Sequence, residues 1–193
     1  MKWSKLSSRT EKIGYKYVTY KDFKLPDGLE AQYTTWGRSG TRNVATIALT
    51  NDNKVIIAQQ FRPGPEEILD ELPGGGADEG EALEVAALRE LREETGYEPD
   101  GTLSYIGSAC PDAYTNEKRH YFLALNCRKI GAQKPDFDEH ITIKFISAEQ
   151  LIENAKTGKM SDAAAVLMAY DILETMMKKA KNAYSDNKVE VAI

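Results

Sequence analysis

At 193 residues, with 41% apolar and 28% charged side chains, the chain has room for one sizeable domain and a small appendage, and its composition is that of a soluble globular protein. The formal charge of −5 argues against a surface that coats nucleic acid, but not against a small anionic substrate, because a bound cation inverts the local sign. No apolar run reaches the length of a membrane span, Met1-Lys2-Trp3-Ser4 opens no signal peptide, and Cys110 and Cys127 lack a metal-type spacing, so reduced thiols in a cytoplasmic protein are expected.

In chain order, residues 12–20 and 30–36 carry Tyr, Val and Thr around the turn Leu25-Pro26-Asp27-Gly28 and predict a hairpin or small antiparallel sheet. Residues 38–41 form a linker, which sets an N-terminal β segment over 1–41 apart from a main domain over 42–193. Strands follow at 44–49 and 55–59 around Asn51-Asp52-Asn53, and residues 68–72 run up to Pro73, which ends them. A glycine-rich turn, Gly74-Gly75-Gly76, offers accessible backbone carbonyls and leads into a helix that ends at Gly96, suited to a left-handed cap. Further strands are expected at 102–108, 120–126 and 141–146. Helices are expected at 148–155, behind a Ser147–Gln150 capping box, and at 162–183. Strands, helix, strands, helices is the order of an α+β sandwich.

The helix after the glycines concentrates acids. At about 100° per residue, Glu90, Glu93 and Glu94 share a face, while Leu83, Ala87, Leu88 and Leu91 form the apolar arc. Glu94 falls between Leu83 and Ala87 in angle, and Glu90 lies just outside the arc. These carboxylates are therefore expected at the edge of the core, partly desolvated and mutually repelling, a state that a hard divalent cation with oxygen ligands would relieve. Ala86 and Ala87 are small enough to leave room for an ion and a substrate. Arg89 reaches Glu93 at i+4 and Glu81 upstream, so it orients acids rather than binding substrate. The competing reading is a solvated acidic surface helix with Arg–Glu pairs.

Gly75, five residues, Glu81, seven residues, then Arg89-Glu90-Leu91-Arg92-Glu93-Glu94-Thr95-Gly96 resembles the Nudix box, with every charged and glycine position present. Tyr97 stands where that pattern prefers an aliphatic residue, at a packing position. The resemblance implies a Nudix-type α/β/α sandwich with a mixed sheet, and hydrolysis of a nucleoside diphosphate linked to another moiety. Gln60-Phe61-Arg62-Pro63, Asp70 to Gly75, Pro111, the run Thr115-Asn116-Glu117-Lys118 and Lys159 to Ala164 resemble the ADP-ribose pyrophosphatase branch. One departure is Asp112, where the branch usually has glycine after the proline.

The resemblance implies Mg²⁺, with Mn²⁺ as the alternative, held by Glu90, Glu94 and the Gly74 carbonyl, with Glu93 sharing. It also implies a general base in a late loop, Glu139 or, one residue out of register, Asp138. Arg62 suits bidentate contact with phosphate. Glu71 either hydrogen-bonds a substrate or pairs with Arg62. Glu117 reaches a ribose or a second metal, or is a solvated loop acid. Trp36 stacks on a base or packs between sheets. Together with Pro111 these are the candidate substrate contacts. The expected function is hydrolysis of ADP-ribose to AMP and ribose 5-phosphate. GDP-mannose or another nucleotide sugar is the alternative substrate, and an ADP-ribose sensor that does not cleave is the alternative of another class. A homodimer is expected, because the aromatic load before Arg38 needs a partner surface; neither nucleic acid nor membrane is expected as a partner.

Overall fold

The computed structural model describes residues 2–101, 103–137 and 139–178. The chain divides into two compact units, Met1–Asn43 with Ser108–Arg119, and Val44–Gly107 with the chain from His120 onward.

The first unit holds a three-stranded antiparallel sheet, β1 (Ser4–Ile13), β2 (Lys16–Lys24) and β3 (Glu30–Trp36), in that spatial order. Residues 12–20, expected as one strand, instead span the β1–β2 turn, where Gly14 takes a positive φ of 62°. Alternation misled here because β1 is exposed at every position and carries no apolar stripe to mark it. On β3 the period of two is clean. Ala31, Tyr33 and Thr35 are shielded, while Gln32, Thr34 and Trp36 face out. Tyr33 meets Trp3 and Phe23 with ring centroids 5.6 and 6.1 Å apart, so it is a packing residue of its own sheet. The segment Ser108–Arg119 joins this sheet by backbone pairing. Trp36 donates to the Tyr114 carbonyl at 2.7 Å and accepts from the Asn116 N–H at 2.7 Å.

The second unit is built on a seven-stranded sheet whose main path is β10-β5-β4-β9-β7. Its strands are β4 (Arg42–Thr50), β5 (Val55–Arg62), β6 (Glu67–Glu71), β7 (Tyr97–Pro99), β8 (Leu103–Ala109), β9 (Lys118–Lys129) and β10 (Thr142–Ile146). β6 pairs with β5, and β8 with β9. β9 starts alongside β4, through the Lys118 N–H bond to the Thr41 carbonyl at 3.1 Å, beyond a parallel Trp36–Thr115 bridge, and the sheet is mixed. Residues 44–49 and 55–58 are buried without a break, as expected of central strands covered on both faces.

Parity along β5 separates those faces. Ile56 packs with Leu91 of α1 (Leu83–Thr95), together with Ala48, Ala124 and Cys127. Ala58, Gln60 and Arg62 share the Ile56 side. Gln59 lies on the other side and bonds Asp70, which also accepts from Asn154 of α2 (Ala148–Thr157) at 2.9 Å. α1 and α2 thus cover opposite faces, giving an α/β/α sandwich. Ser147 caps α2, accepting from the Gln150 N–H at 3.2 Å. The Gln150 amide donates to Asn154 at 2.9 Å, one turn further along the helix. The expected helix over 162–183 is interrupted: α3 spans Ala163–Met168, Ala169 is a turn, helix resumes over 170–178, and the remainder lies outside the described residues.

Candidate active site

α1 opens without a side-chain cap at Ala82 and closes on Gly96 at φ 74°, as its glycine requires. Its acids reach the glycine turn in two ways. Gly74 donates its N–H to Glu94 Oε2 at 2.8 Å. A Cβ on Gly75 would stand 2.6 Å from a Glu90 carboxylate oxygen, and one on Gly74 would stand 2.1 Å from the Val44 carbonyl. Neither glycine has a positive φ. They are required for close approach, not for turn geometry. Of the carbonyls expected to be accessible, that of Gly75 accepts from the Val44 N–H at 2.8 Å and that of Gly76 from Arg89 at 2.9 Å.

Glu94, expected at the core edge, is 2% exposed and lies inside the core. Ala86 and Ala87, expected to leave room for an ion, are instead fully buried with Val44 and Phe122. Their small size lets α1 lie close to the sheet, which is also what draws Glu94 inward.

Arg89 is the hub of the exposed end of the acid face. It bonds Glu81 at 3.1 Å, Glu90 at 2.8 Å and Glu93 at 3.1 Å. Those bonds raise its pKa. Glu93 remains 44% exposed, and Lys134 donates its N–H to the Glu93 carbonyl at 2.6 Å. Glu90 is pushed up by burial, with Arg89 opposing and Glu93 and Glu139 adding. Arg62 feels the charge of Glu94 but directs its hydrogen bonds to Glu71. Burial pushes the Glu94 carboxyl up to about 8, the Gly74 N–H opposes, and the nearby charges of Glu139, Glu90 and Glu71 add.

Arg62 lies on the same face of the sheet. Its Nε donates to both Glu71 oxygens at 2.9 Å, and Nη2 also meets Oε2. Of the two expectations for Glu71, the pair with Arg62 is the one present. Glu71 is 4% exposed and also accepts from Gln60 at 3.2 Å, a contact that the sequence reading missed. The signal was the period of two that places Gln60 beside Arg62. In the late loop, Glu139 Oε2 accepts from the Asp136 N–H at 3.0 Å, closing a short turn. Asp138 lies outside the described residues.

Trp36, Pro111 and Glu117 belong to the first unit. Trp36 is 55% exposed and Pro111 is exposed. Glu117 sits beneath Gly37, where a Cβ would stand 2.7 Å from it, and accepts from Asn43 at 3.1 Å. Asp112 closes an Asx turn, accepting from the Tyr114 N–H at 2.6 Å.

Among the described residues no three carboxylate, imidazole or thiol groups already converge on one point. Arg89 holds Glu90 and Glu93, and the Gly74 N–H holds Glu94. The donor set nonetheless fits a hard divalent cation. Glu71, Glu90, Glu94 and Glu139 interact electrostatically, and Glu94 is buried with the Gly74 N–H on its carboxylate.

The NUDIX domain pattern matches residues 40–168. The chain belongs to the Nudix family. Among relatives of this Nudix hydrolase, the methanol dehydrogenase activator of Bacillus methanolicus is 31% identical, over 76% of this chain and 78% of its own length. The ADP-ribose pyrophosphatase of Bacillus subtilis is 29% identical, over 84% and 86%. The Saccharomyces cerevisiae ADP-ribose pyrophosphatase is 39% identical over 44% of this chain and 40% of its own. The crystal structure of an ADP compounds hydrolase superimposes with a TM-score of 0.75 at 18% identity, covering 91% of this chain and 96% of that one, which establishes a shared fold. Among the described residues no helix is long and apolar enough to cross a membrane.

Proposed function

We propose that this Nudix hydrolase cleaves ADP-ribose to AMP and ribose 5-phosphate with Mg²⁺, or Mn²⁺ in its place. The observation that carries the reading is the buried carboxylate of Glu94, held by the Gly74 N–H, pushed up by burial and neighbouring acids, and within electrostatic reach of the Arg62–Glu71 pair. Glu90, Glu94 and the Gly74 carbonyl would hold the ion, with Glu93 sharing. When bound, it would supply charge neutralisation for the diphosphate and acidify a water. Arg89 keeps Glu90 and Glu93 on one side of α1. Arg62 meets a phosphate oxygen, as a guanidinium fork does. Glu139, freed from its turn with Asp136, takes the proton of the attacking water; Asp138 is the neighbouring candidate for this base. Trp36, Pro111 and Glu117 contact the nucleoside or sugar, and Glu71 acts on substrate through Arg62. In this reading the protein is a cytoplasmic homodimer, since Trp3, Tyr15 and Trp36 are all exposed on the N-terminal sheet. Light scattering of the full chain tests that assembly.

A second reading, activation of a dehydrogenase partner, rests on the Bacillus methanolicus relative. One panel decides the substrate: ADP-ribose, GDP-mannose, UDP-glucose, NADH and diadenosine polyphosphates with Mg²⁺, products resolved by chromatography; adding the chain to a methanol dehydrogenase assay tests the second reading. ADP-ribose is expected to have the highest kcat/KM. A tenfold preference for a guanine sugar, about 1.4 kcal/mol of differential transition-state binding, overturns the choice.

A further inference from the structure

Gln60 is an amide on a strand face that is otherwise apolar further in, following Ile56 and Ala58, and it is only 9% exposed. An amide at such a depth is costly unless bonded. Its bond goes to Glu71 Oε2 at 3.2 Å, the oxygen that also accepts from Arg62 Nε and Nη2. The register explains the reach. Glu71 of β6 stands opposite Ala58 of β5. Gln60 and Arg62 stand two and four residues along the same face, and both donate to that one carboxylate.

The result is a carboxylate gripped from two directions. Glu71 is nearly inaccessible, whereas Arg62 keeps 41% of its side chain exposed. A guanidinium carries five N–H donors. Nε–H and one Nη2–H are committed to Glu71, so the outer donors belong to a side chain whose inner edge cannot turn. Arg62 also feels the charges of Glu94 and Glu139. With Glu71 free to rotate, those acids would draw the guanidinium toward the carboxylates proposed to hold the ion.

We infer that Gln60 is a positioning residue for the reaction: acting through Glu71, it fixes the Arg62 guanidinium so that its outer donors face a diphosphate instead of the acids of α1. This inference rests on the proposed function only in that Arg62 meets a phosphate.

The test is a double-mutant cycle on the full chain with Gln60→Met, which keeps the volume and removes the amide, and Arg62→Ala. Gln60→Met is expected to raise KM for ADP-ribose about tenfold, the scale of one hydrogen bond to a charged group, with kcat within about twofold. In the Arg62→Ala background the same change is expected to have no further effect, because its target is gone. Gln60→Asn, whose amide stops one methylene short of Glu71, is the second variant, and its effect must match. Calorimetric titration with inorganic pyrophosphate repeats the cycle without turnover. Coupling on pyrophosphate in a protein that ignores ADP-ribose would remove the proposed substrate and keep the positioning role. An unchanged KM and pyrophosphate affinity in both Gln60 variants, or an equal loss with and without Arg62, overturns the role.

Discussion

Two buried carboxylates on this sandwich are both withdrawn from water and differ in what surrounds them. Asp70 is 8% exposed and Glu94 is 2% exposed, so both have left water. On the α2 face, Asp70 accepts from Lys144 at 2.9 Å, from Gln59 at 2.8 Å and from Asn154 at 2.9 Å. That network ties β5, β6, β10 and α2 together and leaves the carboxylate with a cation and two amides. On the α1 face, Glu94 receives one backbone N–H and feels the charges of three other acids, while Arg62, the cation that senses it, bonds Glu71 instead. Burial is alike; the partners are opposite. A closed network contributes to the fold, whereas an uncompensated carboxylate keeps its capacity for a ligand that carries positive charge.

The comparison breaks most sharply at Glu94 itself. Glu94→Gln keeps the shape and removes the charge, and turnover is expected to fall about a thousandfold or more, the scale of several kcal/mol from a bound cation. Stability is expected to move the other way. Without metal, the folded protein holds a proton on Glu94 up to about pH 8, while the unfolded chain releases it near the ordinary carboxyl value of 4.5. Between those values the native state binds more protons, so stability falls as pH rises, and the fall is complete above the folded pKa. Glu94→Gln should flatten that slope by on the order of a few kcal/mol, read by denaturant unfolding across the range. A mutant with wild-type turnover would remove Glu94 from the site.

Next in size is the late loop. Glu139 accepts from the Asp136 N–H and still reaches Glu94 and Glu90 electrostatically. Glu139→Gln is expected to lower kcat about a hundredfold with little change in KM, as for loss of a general base. Equal, small effects from Glu139→Gln and Asp138→Asn would take this loop out of the chemistry.

Asp70→Ala makes the complementary case. It strands Lys144, Gln59 and Asn154 without their acceptor, and stability is expected to fall by about 3 kcal/mol, as when one partner of a buried pair is removed. The activity of the folded fraction should survive, assayed well below Tm. A large kcat defect in a stably folded Asp70→Ala protein would erase the division between the two faces.

How far this division was legible in the sequence follows from its range. The acids of α1 and the Arg89 pairs are local, set by helical spacing, and they could be read directly. The Glu71–Arg62 pair was one of two alternatives for the same reason, since β5 and β6 are neighbours in the chain. Asp70's two distant partners were invisible, because Asn154 lies 84 residues away and Lys144 lies 74. Only the packing of α2 and the register of β10 bring them in. The depth of Glu94 escaped as well. A helical wheel gives direction, and closeness to the sheet depends on Ala86 and Ala87 meeting Val44 and Phe122. β1 was read in part as one strand with β2, because a strand with every side chain in solvent leaves no apolar period to detect.

The smallest expected effect sharpens the comparison from the α2 side. Ser147 caps α2 through the Gln150 N–H, and Gln150 in turn donates to Asn154 at 2.9 Å, the residue that reaches Asp70. Ser147→Ala removes one cap, which costs about 1 kcal/mol. If α2 serves only the closed network, that loss should appear in unfolding while KM and kcat stay unchanged. It should also be smaller in an Asp70→Ala background, where Asn154 no longer has a carboxylate to hold. The cap, the amide relay and the carboxylate form one connected path on the face away from α1. A shift in KM on losing Ser147 would mean that this path continues through β6 to Glu71 and Arg62. Asp70 and Glu71 are adjacent residues pointing to opposite faces, so a coupling between the two sides would have to cross at that peptide.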